Sequence, residues 1–156
     1  YPKSALEDCR LDLWNHVISI NLTGTFLCCR AVAPTMKQQG RGSIVTVATG
    51  SYFRSAPNLS HYIASKGGVL GLTRALAAEL GPSGITVNCI VPTLAKTDGT
   101  LPLYDESFFQ ARIDQQCIKR QCEPADLAGA AAYLCSDDGA FVTGQTIGIF
   151  GGVAFI

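Results

Sequence analysis

Two short apolar runs constrain this chain more than any other feature. Ser43 to Ala48 (SIVTVA) and Ile85 to Val91 (ITVNCIV) are rich in Val and Ile, free of charge, and each follows a glycine. Such runs are typically the strands of a parallel sheet covered on both faces. Between them, Ser60 to Leu80 carries Ala64, Val69, Leu72, Leu76 and Leu80 as the apolar face of a helix. A third run, Thr146 to Phe150, closes on Gly151-Gly152. Strands alternating with helices imply crossover connections and an α/β fold with a parallel sheet of about three strands.

Ahead of the first strand, Leu13, Trp14, Val17, Ile18, Ile20, Leu22, Phe26, Leu27, Ala31 and Val32 recur as a broad helical stripe. The spacing predicts a helix over residues 12–39. Asp8 or Asp12 is placed to cap it, Gly40 and Gly42 to end it, and Pro34 to kink or loosen its last turns. Within the next helix, Gly67, Gly68 and Gly71 each cost about 1 kcal/mol against alanine. Three together predict close approach by another backbone, most simply a packed helix. Gly81-Pro82-Ser83-Gly84 reads as a turn, and residues 50–59 and 92–104 as loops. Shorter helices are expected near 105–116 and from Pro124, a first-position proline, to about Ser136.

One domain fits 156 residues of which 47% are apolar. A formal net charge of 0 and the lack of a basic cluster argue against a nucleic-acid partner. No uninterrupted apolar run approaches the ~20 residues of a membrane span, and no signal peptide opens the chain. The expectation is therefore no membrane partner. Cysteines stand at 9, 28, 29, 89, 117, 122 and 135. Their odd number and the lack of C-x-x-C spacing favour reduced thiols in a cytoplasmic protein over a disulfide framework or zinc site. Asp137 and Asp138 read as loop carboxylates, and no clustered ligand set predicts a metal.

The chemistry concentrates in Thr49–Lys66, TGSYFRSAPNLSHYIASK. Tyr62 and Lys66 project from one helix face, one turn apart. A Lys ammonium beside a phenol favours the phenolate. A free Tyr titrates near ~10, and bringing it to about pH 7 takes roughly 4 kcal/mol. That exceeds what one lysine supplies, so a second positive charge, such as an oxidised nicotinamide, would help. The product is a proton donor and acceptor useful at neutral pH. Tyr-x-x-x-Lys alone also fits a solvated helical pair, so its setting matters. His61 reads as a loop or capping residue and His16 as a helix-surface residue.

Four pieces in order supply that setting: INLTGTF, GSIVTVAT ending at Thr49, the Tyr62/Lys66 pair, and GITVNCIVPTLAKTD. Together they resemble the short-chain dehydrogenase/reductase family over essentially the whole chain. The resemblance implies a Rossmann-like doubly wound parallel sheet and hydride transfer between a nicotinamide cofactor, NAD or NADP, and an alcohol or ketone. It implies Tyr62 as general acid/base and Lys66 as the group that lowers its pKa and binds the nicotinamide ribose. Thr49 stands where the family usually has serine and keeps the hydroxyl that would bind the substrate oxygen. Ser51 is the runner-up. Asn21 matches the helix-embedded Asn that holds a water for proton relay, and asparagine is a poor mid-helix residue. Pro92, Thr93, Ala95 and Thr97 match the loop that contacts the nicotinamide amide. Thr93 departs from the usual Gly, and Phe150-Gly-Gly from the usual Asp-Gly-Gly. Substrate contacts are expected from Thr49, Ser51, Tyr52 and Leu94. Tyr52, Phe53, Leu94, Leu101, Leu103, Phe108 and Phe109 could line one apolar pocket. SHYIASK and VPTLAKT are similar to phenylethanol dehydrogenase-like members, which act on aryl ketones and alcohols.

A dinucleotide fold needs a glycine-rich turn where the pyrophosphate meets a helix N-terminus. Gly67-Gly68 and Gly151-Gly152 lie in the wrong context for one. The family would place that turn before Tyr1, so residues 1–156 read as the C-terminal catalytic part of one Rossmann-type domain. By itself this part is expected not to hold the cofactor. An alternative reading is a non-catalytic truncated module that folds and oligomerises. The resemblance also implies a homo-oligomer, dimer or tetramer, packed through helices 12–39 and 60–80. An open edge at strand Ser43–Ala48 would favour association as well.

Overall fold

The computed structural model describes residues 2–156. Among the described residues, β1 (Gly42–Val47), β2 (Ile85–Pro92) and β3 (Thr146–Ile149) form one parallel sheet in the order β1-β2-β3. Six helices accompany it: α1 (Leu11–Ile18), α2 (Gly24–Gln39), α3 (Ser51–Arg54), α4 (Ser60–Leu80), α5 (Glu106–Gln115) and α6 (Ala125–Cys135). This is the Rossmann-like α/β arrangement that the alternating pattern implies.

β2 is the central strand, buried from Ile85 to Val91. Its side chains alternate between two faces. Ile85, Val87, Cys89 and Val91 pack with Leu70, Ala77 and Leu80 of α4. Asn88 points the other way and is bonded at both ends of its amide: its nitrogen donates to the Val142 carbonyl at 2.7 Å, and its oxygen accepts the Gln145 amide at 3.0 Å. The segment before β3 is thereby strapped to β2. β1 is a correction to the reading of two covered faces. Most of it is only half-buried and Val47 is 45% exposed, and among the described residues β1 is an edge strand paired with β2 alone.

α1 and α2 are joined by a π-helical turn, Ser19–Thr23, into one helix. Arg10, and neither aspartate, occupies the N-cap, and its side chain makes no cap bond. Asp12 instead lies in the first turn, where it accepts the Leu13 amide and pairs with Arg10, both at 2.9 Å. Pro34 sits inside α2 without ending it, and Gly40, at φ 66°, caps its C-terminus. The whole helix, Leu11–Gln39, has 29 residues and is long and apolar enough to cross a membrane by length and composition. The count of uninterrupted apolar runs missed this because uncharged polar residues such as Asn15, Ser19 and Asn21 break the runs without adding charge. Leu11, Ile20, Phe26, Leu27 and Val32 are exposed on it.

The buried stripe of α4 is rotated from the expected one. His61, Ser65, Val69, Thr73 and Ala77, spaced four apart, are buried, while Ala64 is exposed. Polar residues can face inward because partners are at hand. Thr73 Oγ1 donates to the Val69 carbonyl (2.8 Å) and meets Thr46 Oγ1 of β1 at 2.7 Å. Two further departures are local. The loop at 50–59 contains α3, and Pro124 is the N-cap of α6 and not its first residue.

The glycines of α4 divide. A Cβ on Gly67 would lie 2.8 Å from the Tyr52 ring, and one on Gly68 would lie 2.6 Å from Leu22 Cδ2. Gly68 therefore admits the side chain of the neighbouring helix, and Gly67 the Tyr52 ring. Gly71 meets nothing within 4 Å. We predict that Gly71→Ala stabilises the chain by up to about 1 kcal/mol through helix propensity. Gly68→Ala should destabilise it, with overpacking worth about 1–3 kcal/mol set against the same gain. Urea unfolding of the two variants checks the opposite signs.

Candidate active site

The strand ladder continues past the strands it defines. Ala48 N–H donates to the Ile90 carbonyl at 3.1 Å, Gly50 N–H to the Pro92 carbonyl at 2.9 Å, and Thr93 N–H to the Ile149 carbonyl at 3.1 Å. Thr49 and Thr93 are thus held side by side at the carboxyl ends of β1 and β2, where open α/β sheets bind ligands. Thr49 is 8% exposed, and its Oγ1 accepts the Ser51 amide at 3.3 Å. With its oxygen engaged as acceptor, its hydroxyl proton is available to donate. Ser51 opens α3 and orients Thr49 through its backbone.

α4 carries Tyr62 and Lys66 in its first two turns, both half-buried, and Lys66 reaches the same strand end. Lys66 Nζ donates to the Val47 carbonyl at 3.0 Å, two residues before Thr49. Burial pushes the Lys66 ammonium below its ordinary value, because partial desolvation disfavours the charged form. Asn21 lies in the π-helical turn. Its amide donates to Ser65 Oγ at 3.0 Å, and Ser65 Oγ donates to the Tyr62 carbonyl at 2.7 Å. A π-turn changes the carbonyl pairing of a helix and often marks a functional position. Here Thr25 Oγ1 donates to the Asn21 carbonyl at 2.7 Å.

Several residues differ from their sequence reading. His61 is not a loop or capping residue: it is wholly buried, its Nδ1 lies 3.9 Å from Cys9 Sγ, and its Nε2 has no partner among the described residues. Ser65, unnoticed in the sequence, joins Asn21 to Tyr62. Its spacing from Val69, Thr73 and Ala77 was the available signal. Thr100 was also missed. It stitches residues 95–101 into a tight turn, donating to the Ala95 carbonyl at 2.8 Å and accepting the Thr97 amide at 2.9 Å. Thr97 Oγ1 sits 3.1 Å from Thr100 Oγ1, and the Leu94 carbonyl accepts Gln121 Nε2 at 2.9 Å. Thr93, in the usual Gly position, keeps its strand bond and lines a cavity of about 140 Å³ with Gln116, Ile149 and Gly151.

The expected apolar residues do not form one pocket. Phe53 leans on Phe150 at 5.9 Å between centroids, and Phe150 is buried with Ala48, Leu70, Cys89 and Val91. Phe150, in the motif position where the resemblance implies Asp, is thus a core residue. Phe109 is buried beneath Lys96, 5.4 Å from its ring centroid. Tyr52 covers Gly67. Leu103 and Phe108 line a separate cleft of about 510 Å³ with Tyr104, Pro2 and Lys3.

Comparison with known proteins gives consistent matches. The family model described as enoyl-(acyl carrier protein) reductase matches residues 2–154. Dehydrogenase/reductase SDR family member 4 of Mus musculus is 39% identical over 94% of this chain and 53% of its own length. The Rhizobium meliloti protein named probable galactose dehydrogenase GalD is 38% identical over 97% of this chain and 59% of its own. A solved structure from Sinorhizobium meliloti 1021, assigned as a short-chain alcohol dehydrogenase, superposes with a TM-score of 0.91 at 33% identity. It covers 97% of this chain and 61% of that one. The chain thus spans about half the length of the curated relatives it matches.

The Lys66 environment has a pH signature. Its folded-state pKa lies below the ordinary 10.5, so between the two values the unfolded chain binds more protons. Stability should therefore rise with pH across that window, relative to a chain without the amine. We predict that the difference in urea midpoint between the parent and Lys66→Met shifts in the parent's favour as pH climbs toward 10.5. A pH-independent difference would contradict the burial of this ammonium.

Proposed function

The chain belongs to the short-chain dehydrogenase/reductase family, and on that premise we propose that it supplies the proton-transfer residues of a nicotinamide-dependent alcohol/ketone oxidoreductase. The observation that carries the reading is the Lys66 contact with the Val47 carbonyl at 3.0 Å. It ties the helix bearing Tyr62 to the strand end bearing Thr49, so a carbonyl oxygen could meet both hydroxyls.

In ketone reduction, Tyr62 gives its phenolic proton to the substrate oxygen and Thr49 donates a hydrogen bond to the same oxygen. The Lys66 ammonium favours the phenolate left behind. Asn21, through Ser65, fixes the first turn of α4 against the π-turn. In alcohol oxidation the same groups work in reverse, with Tyr62 as base.

The donor set fits a nicotinamide nucleoside. Lys66 and Tyr62 would hold the ribose, and the segment Pro92, Thr93, Ala95 and Thr97 would face the carboxamide, its backbone set by the Thr100 turn. The bound cofactor, NAD or NADP, would supply or accept the hydride. Ser51, Tyr52 and Leu94 would border the substrate. We place the enzyme in the cytoplasm as a homo-oligomer, with Ile20, Phe26, Leu27 and Val32 of α1–α2 as the exposed apolar face available to a second copy.

In the full-length gene product, Tyr62→Phe should lower kcat by about 10²–10⁴ with the fold intact, the usual range for losing a general acid/base. Thr49→Val should cost about 10²–10³, as for one lost oxyanion donor, and Thr49→Ser only a few-fold. Steady-state kinetics with NADH and with NADPH read these effects. Undiminished turnover in Tyr62→Phe would refute its role, and full activity in Thr49→Val would move substrate binding to Ser51.

A further inference from the structure

We propose that Arg54 and Arg112, joined through Gln115, bind the carboxylate or phosphate group of the substrate whose carbonyl meets Thr49 and Tyr62. The placement on a substrate rests on the function proposed above; the anion site itself does not.

The two arginines come from different elements. Arg54 ends α3, five residues after Thr49, and Arg112 lies in the last turn of α5. Their guanidinium groups converge on one neutral atom: Arg54 Nη2 donates to Gln115 Oε1 at 2.5 Å, and Arg112 Nη1 donates to it at 3.2 Å. Both side chains are half-buried. Like charges so placed repel, and an uncharged amide oxygen offsets little of that repulsion. Elsewhere in this chain exposed arginines take carboxylates, as in Arg10–Asp12 and Arg120–Asp126. Among the described residues, neither Arg54 nor Arg112 has a carboxylate within ion-pair distance.

Local structure does not account for the pair. Asp114, the nearest acid in sequence, accepts the Gln110 amide at 2.9 Å. The C-terminal end of α5 attracts cations, and Lys119 responds to it by donating to the Asp114 carbonyl at 2.8 Å. Arg54 and Arg112 donate to a side chain instead, which leaves most of their fork of donors open. Burial and the neighbouring Arg112 charge both push the Arg54 pKa down, and a bound anion would offset both effects. Two guanidinium forks are the natural receptor for a carboxylate or phosphate.

The surroundings narrow the ligand further. The Arg112 guanidinium lies 4.8 Å from the centroid of the Phe108 ring, which stacks on Tyr104 at 4.4 Å. These two rings line the 510 Å³ cleft. An anion on the arginines would therefore have an apolar wall beside it. The ligand class is an acid with an apolar or aromatic body and a ketone or alcohol some carbons away. The helical rise puts the Arg54 Cα only about 5 Å beyond Ser51. Binding there would also hold α3, and with it the Ser51 amide that orients Thr49.

Two experiments test this. In the first, the chain itself is titrated with inorganic phosphate and with acetate at constant ionic strength, following arginine Nε–H signals by NMR. A saturable shift at Arg54 and Arg112 is expected, weakened about ten-fold by Arg54→Gln or Arg112→Gln and unaffected by Arg120→Gln. No saturable shift, or one that survives both Gln variants, overturns the site. In the second, the full-length enzyme is offered an aryl keto acid and its methyl ester. The acid should be preferred about ten-fold or more through KM, and either Gln variant should bring the ratio near unity. Equal use of acid and ester alongside saturable phosphate binding would overturn the substrate assignment and leave a site for a free anion. Turnover of neither compound would count against the oxidoreductase reading, while the titration still decides the anion site.

Discussion

Burying β2 from Ile85 to Val91 is possible only if its backbone groups find partners, because an unmet buried group costs about 1–3 kcal/mol. β1 and β3 meet that demand from either side, in register from Gly42↔Ile85 to Pro92↔Ile149. The demand continues beyond the strands, so the Ala48, Gly50 and Thr93 amides are also paired. Those bonds hold Thr49 and Thr93 at one rim without any help from a ligand. The candidate site is thus a by-product of satisfying one strand.

A second set of bonds fixes how α4 lies on the sheet. Apolar contacts from Leu70, Ala77 and Leu80 supply adhesion but little directional information. The Thr46–Thr73 contact at 2.7 Å and the Lys66–Val47 bond at 3.0 Å are directional, and they set the helix's position along β1. Displacing α4 along its axis would break both, although Thr73 and Thr46 would keep their bonds to the Val69 and Asn88 carbonyls. The helix that carries Tyr62 is therefore tied to β1 at two points, through Thr73 and through Lys66.

The Val- and Ile-rich runs made β2 and a parallel sheet readable, the apolar stripe made α4 readable, and the ordered motifs pointed to Asn21, Thr49, Tyr62 and Lys66. The inward face of α4 was not readable, because its polar members Ser65 and Thr73 are buried only by virtue of partners far away in sequence. His61 was misplaced for the same reason: a residue beside a motif was read from its neighbours in sequence rather than from Cys9, which packs on it from another segment. The single-pocket expectation failed because hydrophobicity does not say which way an aromatic turns. Phe109 went to the core and Phe53 packs half-buried against the cluster around Phe150, while Phe108 stayed beside the cleft. Likewise, Arg54 and Arg112 lie far apart in sequence, and neither belongs to a motif.

If the site is preformed by the ladder around β2, its rim must be as rigid as the strand itself. Native-state hydrogen exchange of the chain without cofactor measures this directly. The account predicts that the Ala48, Gly50 and Thr93 amides exchange on the same slow scale as those of Val87 to Val91. Exchange at these three amides as fast as at the exposed Asp98 and Gly99 would contradict it, and would mean that the rim forms only when a ligand binds.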